Sequence, residues 1–190
     1  MRISKDGAFY SRNLPHYRAP GAIYHCRFSL HEIFGRFRQE WMFEEVESAI
    51  LSQHKLVCLV FAYVIMADHT HAVLQPIPIR NDPAAWCDFR SFPELERIVG
   101  RIKGRSSRLI NKRLGRMGTL WQAEPFDRMI RNDRDLEEVI DYIHCNPVRW
   151  NLVSSPERYR WSSLRTIYSG KEQYRGWFDL SLTPIGQAGE

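Results

Sequence analysis

The sequence lacks any long hydrophobic run and any close pair of cysteines. No apolar stretch approaches the roughly 20 residues that a membrane-spanning helix needs, and residues 1–21 lack the apolar core of a secretory signal. Cys26, Cys58, Cys87 and Cys145 are scattered, without CxxC or zinc-finger spacing. We therefore expect no membrane partner, a cytoplasmic location and free thiols instead of a disulfide framework.

The remaining composition is that of a globular protein with a basic balance. The chain has 190 residues, 44% of them hydrophobic, and a net charge of +5. This length predicts one domain with a sizeable core. We place the domain core at about residues 15–165, with an N-terminal arm over 1–14 and a C-terminal tail over 166–190. The positive charge is compatible with a polyanionic partner such as nucleic acid.

The pattern of apolar residues predicts the element order β-α-β-β-α-β-α. The first six elements fit a ferredoxin-like βαββαβ sandwich, an α+β fold in which an antiparallel sheet carries two helices on one face. The last element is an additional helix, which we expect Asn146–Pro147 to end. The predicted strands are 21–34, 56–66, 69–77 and Phe126–Arg131, and the predicted helices are 36–55, 93–118 and 134–145.

Two histidines stand one residue apart in the stretch MADHTHAVLQ, residues 66–75. If this stretch is a strand, His69 and His71 point to the same face, because side chains alternate along a strand. Two imidazoles on one face can bind one metal ion, but the same pattern also fits two surface histidines near a strand end. The metal interpretation requires a third ligand from another element.

The last predicted helix offers a nucleophile and candidates for that third ligand. Glu138, Tyr142 and Asn146 are four residues apart and therefore share one helix face. Tyr142 is the candidate nucleophile, whereas a buried structural tyrosine is the alternative. Glu138 is favoured as a ligand by its charge and Asn146 by its place near the helix end. His144 points about 200° away from Tyr142, so we expect it in another environment.

These residues together predict metal-assisted cleavage of a phosphodiester. A free tyrosine has a pKa of about 10 and is a poor nucleophile at neutral pH. A divalent ion held by the histidines would polarise a phosphate oxygen, and the phenol could then attack phosphorus. The covalent phosphotyrosine conserves the bond energy, which suits strand transfer better than hydrolysis. Imidazole ligands favour manganese or zinc, although magnesium can serve if the phosphate supplies oxygens.

The segment from residue 97 to residue 116 contains many basic residues and no acidic one. Such a segment suits a phosphate backbone, although a solvated helix face is the alternative. Its cations are Arg97, Arg101, Lys103, Arg105, Arg108, Lys112, Arg113 and Arg116. Tryptophans can stack on bases or belong to the core. The candidates for stacking are Trp86, Trp121, Trp150, Trp161 and Trp177.

Three blocks in this order resemble the HUH class of single-strand tyrosine transposases, and most of all its REP-associated branch. They are YVIMADHTHAVLQP at 63–76, LWQAEPFDRMIRN at 120–132 and DYIHCNPVRWNLV at 141–153. The likeness extends over about residues 15–165. One departure is Thr70, which lies between the two histidines where the class name implies a hydrophobic residue.

The resemblance implies a role for each candidate residue. His69 and His71 would be the metal ligands, with Asn146 as a third, amide-type ligand and Glu138 in reserve. Tyr142 would form a 5′-phosphotyrosine link. The cofactor would be a divalent ion, Mg or Mn. The substrate would be single-stranded or hairpin DNA with a short flanking tag, cut and rejoined on one strand by a monomer, which we favour over a homodimer.

Other functions compete with this metal-dependent nicking and strand-transfer enzyme. A domesticated regulatory protein could bind hairpin DNA without transposition, but such a protein would gain little from keeping His69, His71 and Tyr142. A ferredoxin-like RNA-binding module is a further alternative, but no RNP-type stretch occurs on a predicted strand. A basic globular protein with structural histidines is disfavoured by the coincidence of the three blocks. The sequence therefore favours the enzyme.

Overall fold

The elements of the computed structural model follow the predicted order from residue 24 onward. The structure describes residues 2–4, 7–11, 15–79 and 83–167, so most of the predicted C-terminal tail, including Trp177, lies outside the described residues. The strands are β1 (Arg2–Ser4), β2 (Gly7–Ser11), β3 (Pro15–Arg18), β4 (Tyr24–Ser29), β5 (Cys58–Ile65), β6 (His69–Pro76) and β7 (Phe126–Met129). The helices are α1 (Glu40–Leu51), α2 (Leu95–Leu114), α3 (Asp133–Arg149) and α4 (Ser163–Thr166).

Strands β5, β6, β4 and β7 form a four-stranded sheet in that order, and each neighbouring pair is antiparallel. β4 lies inside the sheet. The connection through α1 leads from β4 to β5 at one edge and leaves a position between them for β6, and the connection through α2 leads from β6 to β7 at the other edge. This order is that of the ferredoxin-like sandwich, so the predicted fold class is confirmed. None of the helices in the described ranges has the length and apolar character that a membrane crossing requires.

The N-terminal segment, predicted as an arm, contains three short strands that the sequence did not predict. β1, β2 and β3 pair in an antiparallel meander. Arg18 at its end is buried, and its guanidinium binds both carboxylate oxygens of Asp127, at 2.7 and 3.0 Å, and the carboxylate of Glu96. Such bidentate pairs are among the stronger ionic contacts, and this one ties β3 to β7 and α2.

The two faces of the main sheet are covered by different helices. Phe28 packs on Trp121 with ring centroids 5.0 Å apart, and the Trp121 indole donates a hydrogen bond to Ser106 of α2 at 3.0 Å. Tyr63, on the same face, donates a hydrogen bond to Glu47 of α1 at 2.8 Å. Because side chains alternate along a strand, the histidines of β6 occupy the opposite face, where α3 packs.

The predicted end of α3 at Asn146–Pro147 is wrong. The helix continues through both residues to Arg149, and Asn151 ends it in the left-handed conformation with φ 55°. A proline removes one backbone donor and disfavours a helical residue before it. Here Asn146 and Pro147 are both buried, so packing outweighs the local preference. The extra residues bring Arg149 and Trp150 to the face of the histidines.

Thr70 provides a test of the packing between the histidines. Its side chain is fully buried on the face that α1 and α2 cover, and its hydroxyl has no hydrogen-bond partner among the described residues. A buried hydroxyl without a partner costs free energy. Thr70→Val should therefore raise the free energy of unfolding by about 1 kcal/mol, measured by urea denaturation. A lower stability of the variant would show that the hydroxyl has a partner.

Candidate functional site

Three histidines lie side by side on the α3-covered face of the sheet. His69 and His71 belong to β6, and their ring centroids are 5.0 Å apart. His25 of the neighbouring strand β4 stacks on His71 with centroids 5.1 Å apart. All three rings are buried, with exposed fractions of 3–8%. The predicted pair is therefore part of a row of three imidazoles.

Each histidine of the predicted pair uses one ring nitrogen for a protein partner. His69 Nδ1 lies 2.7 Å from a carboxylate oxygen of Asp68, and His71 Nδ1 lies 2.9 Å from His25 Nε2. Partners of this kind fix the orientation and tautomer of metal-binding histidines. With Nδ1 as the donor in each case, both Nε2 atoms present a lone pair.

The turn that precedes the histidines is held by neighbouring backbone. The Met66 N–H donates to the His69 carbonyl at 2.8 Å, which closes a turn around Ala67 and Asp68. The Leu30 N–H donates to the Asp68 carbonyl at 2.8 Å, and a further N–H donates to the Ala67 carbonyl. The start of β6 is therefore fixed before any ligand binds.

The pKa values of all three imidazoles are lowered, chiefly by burial. The pKa of His71 falls to about 2, with the charges of His25, His69 and Arg27 as smaller causes, and that of His25 falls to about 4. Burial also lowers the pKa of His69, although the Asp68 carboxylate opposes this shift. All three rings are therefore neutral at pH 7, the form in which imidazole binds cations.

Tyr142 of α3 meets this row on the same face. Its ring centroid is 5.8 Å from that of His71 and 6.3 Å from that of His25, and both contacts are edge-on. Its side chain is 39% exposed, so the phenol contacts both the histidines and solvent. The structure thus brings together His69, His71 and Tyr142, which the sequence singled out on two separate elements.

The candidate third ligands differ in their surroundings. Asn146 is buried one turn after Tyr142, and its amide nitrogen donates to the Tyr142 carbonyl at 3.1 Å. Its amide oxygen is the atom that could bind a cation. The Glu138 carboxylate instead accepts a hydrogen bond from Arg134 at 2.9 Å on the exposed side of the helix. Of the two, only Asn146 is buried, and only Glu138 is bound to an arginine.

The donor set fits a metal site with two protein imidazoles and additional oxygen ligands. Within the described ranges there is no group of three or more His, Cys, Asp or Glu residues that could hold a metal ion. His69 and His71 meet the requirements of neutral rings with oriented Nδ1 partners. An amide oxygen and phosphate oxygens would have to complete the coordination, because the neighbouring His25 imidazole and Asp68 carboxylate contact the Nδ1 atoms of His71 and His69 instead.

Two arginines supply positive charge beside the row. Arg27 is exposed and lies directly opposite His71 in the β4–β6 pairing. It follows His25 by two residues and so shares its face. The Arg149 guanidinium lies 4.8 Å from the centre of the Tyr142 ring. A phosphate at this site would therefore meet two cations in addition to any bound metal.

The basic helix α2 does not share this face. Because α2 covers the opposite side of the sheet, the structure does not bring its cations together with Tyr142. The exposed cations Arg97, Arg101, Arg105, Arg108 and Lys112 recur every three or four residues and form one stripe. Arg113 stacks on Trp41 at 4.3 Å and Arg116 on Phe34 at 4.8 Å.

Lys103 has a structural role that the sequence did not predict. Its ammonium donates to the carbonyls of Gln122 and Ala123 at 2.6 and 2.9 Å, and burial lowers its pKa. It lines a cavity of about 180 Å³ together with Arg18 and Glu96. Lys103 therefore anchors the loop before β7 and is not an exposed cation of the stripe.

The tryptophans separate into core and surface residues. Trp121 and Trp161 are buried, and Trp86 packs against Phe92 with centroids 5.6 Å apart. Trp150 alone among the described candidates is strongly exposed, at 62%, and its ring centroid lies 6.5 Å from that of His69. Of these described candidates, only Trp150 is therefore both accessible and close to the histidines.

Sequence reasoning missed His25, Arg27 and Arg149 as site residues. The alternation in YHCRFS does place His25 and Arg27 on one strand face, and Arg149 is seven residues, about two helical turns, after Tyr142. Both signals were present in the sequence. The register of β4 against β6, which selects the face, is set by tertiary packing.

His144 faces away from the site, as its helix position predicts. It is buried, and its Nε2 lies 2.7 Å from the Ser163 hydroxyl. Burial lowers its pKa from 6.5 to about 4. Between these two values the unfolded chain binds a proton that the folded chain does not. Stability should therefore fall as the pH decreases from about 6.5 to about 4.

The contribution of His144 to this loss should be on the order of 2 kcal/mol. Urea unfolding of the parent and of His144→Gln, at about pH 7 and about pH 4.5, measures it. We expect a smaller pH dependence for the variant, although His25 and His71 retain effects of the same sign. Equal slopes for the parent and His144→Gln would contradict the assignment.

Comparison with known proteins identifies related sequences and folds. No protein-family model matches the chain. A curated protein of Haemophilus influenzae, named "Putative REP-associated tyrosine transposase", is 30% identical over 104 residues. The match covers 54% of this chain and 56% of that protein, so it spans little more than half the length of the relative. The resemblance seen in the sequence is confirmed.

A solved structure carries the same architecture. It is described as a REP-associated tyrosine transposase bound to a REP hairpin, and it superposes with a TM-score of 0.63. The alignment covers 95% of this chain and 93% of that chain, at 18% identity. At this identity the likeness bears on the fold alone. REP-associated tyrosine transposases are therefore what this chain resembles, partly in sequence and throughout in fold.

Proposed function

We propose that this protein nicks and rejoins single-stranded hairpin DNA through a covalent bond to Tyr142. One observation carries the proposal: the partly exposed Tyr142 ring has its centroid 5.8 Å from that of His71, which belongs to a row of three buried imidazoles. With Nδ1 as the donor in His69 and His71, their Nε2 atoms can bind a cation. The REP-associated relative and the hairpin-bound structural neighbour support hairpin DNA as the substrate. Arg27 and Arg149 would meet its phosphates.

The residues would share the work of one transesterification. The Tyr142 phenol oxygen forms a bond to phosphorus while the bond from phosphorus to the 3′ oxygen breaks. The phenol loses one proton and the leaving 3′ oxygen gains one, so the step is balanced and releases a 3′ hydroxyl. The 5′ side remains bonded to Tyr142, and attack by another 3′ hydroxyl reverses the step.

His69, His71 and the Asn146 amide oxygen would hold a divalent ion, Mg or Mn. When bound, such an ion supplies Lewis acidity that polarises the phosphate. Asp68 and His25 keep the two imidazoles in the metal-binding tautomer through their contacts with the Nδ1 atoms. Arg27 and Arg149 offset the negative charge that develops on the phosphate oxygens.

We further propose that one chain carries a complete site and acts as a monomer. Support comes from α3, which packs on the sheet of its own chain, so that Tyr142 contacts His25 and His71 of the same molecule. A dimer that exchanged α3 would need to break these contacts and those of the buried helix face. Mixing of two variants that are each inactive tests this arrangement.

A covalent-capture gel tests the function. The protein is mixed with labelled single-stranded hairpin oligonucleotides, taken from palindromic repeats near its own gene, with or without Mn²⁺ or Mg²⁺. After denaturation, label that migrates with the protein marks a covalent adduct. We expect an adduct that requires the metal. A shift on a native gel without any adduct would instead indicate the regulatory hairpin-binding protein and overturn the enzymatic proposal.

The two basic surfaces should contribute differently to catalysis. Arg27→Gln removes a cation opposite His71, whereas Arg105→Gln removes one from the stripe on the far helix. We expect Arg27→Gln to lower the rate of adduct formation on bound DNA about 10- to 100-fold, because Arg27 stabilises charge at phosphorus. Arg105→Gln should leave that rate unchanged. Single-turnover rates at saturating protein measure both, and a normal rate for Arg27→Gln would contradict its role.

A further inference from the structure

Two exposed aromatic rings stand at opposite ends of the histidine row. Trp150 lies beside His69, and Phe126 lies beside His25, each with ring centroids 6.5 Å apart. His71 completes the row between the two histidines. The candidate cleavage site is therefore flanked by an aromatic ring on each side.

Both rings are accessible, and the backbone at each is hydrogen-bonded. Trp150 is 62% exposed and Phe126 is 48% exposed. The Trp150 N–H donates to the Asn146 carbonyl at 3.1 Å at the end of α3. Phe126 pairs with Arg27 in the β4–β7 ladder. Single exposed apolar residues are common and need no explanation. Two exposed rings at the two ends of one polar row require one.

The charges between the rings match a nucleotide backbone. In the sheet register Arg27 lies between His71 on one neighbouring strand and Phe126 on the other. Arg149 lies over the Tyr142 ring, and Trp150 follows it directly in the chain. Arg27 is therefore next to Phe126 in the sheet, and Arg149 is next to Trp150 in the chain. A nucleotide strand places a negative phosphate beside each flat base. This pattern is complementary to cations that lie near aromatic rings.

We propose that Trp150 and Phe126 each stack on one of the two bases that flank the scissile phosphate. This inference rests on the proposed function and adds to it two positioning residues. Stacking accepts any base, because every base has a π-face. The rings would splay the two bases apart and centre the phosphate between them over the histidines and Tyr142. The spacing of the two rings would then determine which phosphate is cleaved, and other residues would recognise the base sequence.

Abasic oligonucleotides test the proposal. Protein variants that lack one aromatic ring are combined with DNA that lacks one base, and the two losses are compared. The parent, Trp150→Ala and Phe126→Ala are each combined with intact hairpin DNA and with DNA lacking one base on either side of the mapped nick. Equilibrium binding is measured by fluorescence anisotropy, and adduct yield on denaturing gels. Each abasic site should weaken binding to the parent about tenfold.

The expected result is a one-to-one pairing. Trp150→Ala should be insensitive to one abasic site and remain sensitive to the other, and Phe126→Ala should show the reverse. Trp150→Phe keeps a ring and should keep the parent's sensitivity. Ile33→Ala removes an exposed side chain elsewhere, 84% exposed in the parent, and should change nothing. Purely additive losses, or equal sensitivity of all variants to both abasic sites, would overturn the proposal.

The readouts separate this inference from the proposed function. Absence of an adduct between the parent and intact DNA would contradict the nicking activity without bearing on stacking. In that case anisotropy is measured with an abasic site at each nucleotide in turn. Loss of sensitivity at one position for each variant, at neighbouring nucleotides, supports stacking by both rings. If the parent and both variants lose affinity at the same abasic positions and to the same extent, the stacking proposal is overturned.

Discussion

Tyr142→Phe should form no covalent adduct with hairpin DNA, a loss of roughly a thousandfold or more, as expected when a nucleophile is removed. The substitution removes one hydroxyl and keeps the ring that contacts His71, His25 and Arg149. DNA affinity should therefore stay within about twofold, and the free energy of unfolding within about 0.5 kcal/mol. Capture gels, anisotropy and urea denaturation measure the three quantities.

Tyr159→Phe is the matched control, because its hydroxyl has a structural role. The Tyr159 hydroxyl is buried and donates to the Ile65 carbonyl at 2.8 Å. Its loss should lower the free energy of unfolding by about 1 kcal/mol and leave adduct formation intact. The two variants should thus show opposite patterns of stability and chemistry. An adduct of parent yield with Tyr142→Phe would assign the nucleophile to another residue.

His69→Ala should lose metal-dependent cleavage by about a hundredfold or more, because a metal ion contributes several kcal/mol to the stabilisation of the transition state. Its affinity for Mn²⁺ alone, measured by calorimetry, should fall in parallel. Asp68→Asn keeps the imidazole and weakens only its orientation, so we expect a smaller loss, about 10- to 100-fold. A graded series would indicate that Asp68 acts through His69.

His31→Ala is the control for this series, because His31 lies in the loop after β4 and outside the histidine row. It should keep both the Mn²⁺ affinity and the cleavage rate of the parent. Unchanged Mn²⁺ affinity in His69→Ala would rule out His69 as a ligand, whatever its cleavage rate.

Mixing Tyr142→Phe with His69→Ala tests whether a site can be shared between molecules. If α3 were exchanged in a dimer, one subunit could combine an intact tyrosine with the intact histidines of the other, and the mixture would regain activity. With a complete site in each chain, the mixture should stay inactive. Recovery of adduct formation would overturn the monomer proposal and leave the residue roles in place.

Much of the fold and part of the site followed from local patterns. The nearly continuous apolar run at 56–66, the short turn at Ala67–Asp68 and the strand pattern at 69–77 predicted a hairpin, and the two-residue period of a strand put His69 and His71 on one face. The four-residue spacing on α3 placed Tyr142 and Asn146 on one side of a helix. These features depend on the periods of strands and helices, and the sequence alone contains those periods.

Other features were missed because they depend on neighbours distant in the chain. A local rule predicted that α3 ends at Asn146–Pro147, yet burial of both residues carries the helix on to Arg149. The basic character of 97–116 was correct, but only the packing of Trp121 on Ser106 and Phe28 shows that α2 covers the other face of the sheet. A charge pattern does not specify which side of a sheet its helix covers.

The sequence by itself determined the element order from β4 to α3, the common face of His69 and His71, and the helix face that Tyr142 shares with Asn146, since these depend on periods within single elements. Only the tertiary structure decided that His25 orients His71, that Arg27 and Arg149 border the site, and that Phe126 and Trp150 flank it. These side chains come from β4, β7 and the end of α3. Strand register and helix packing, which are set by burial across the whole core, bring them to one face.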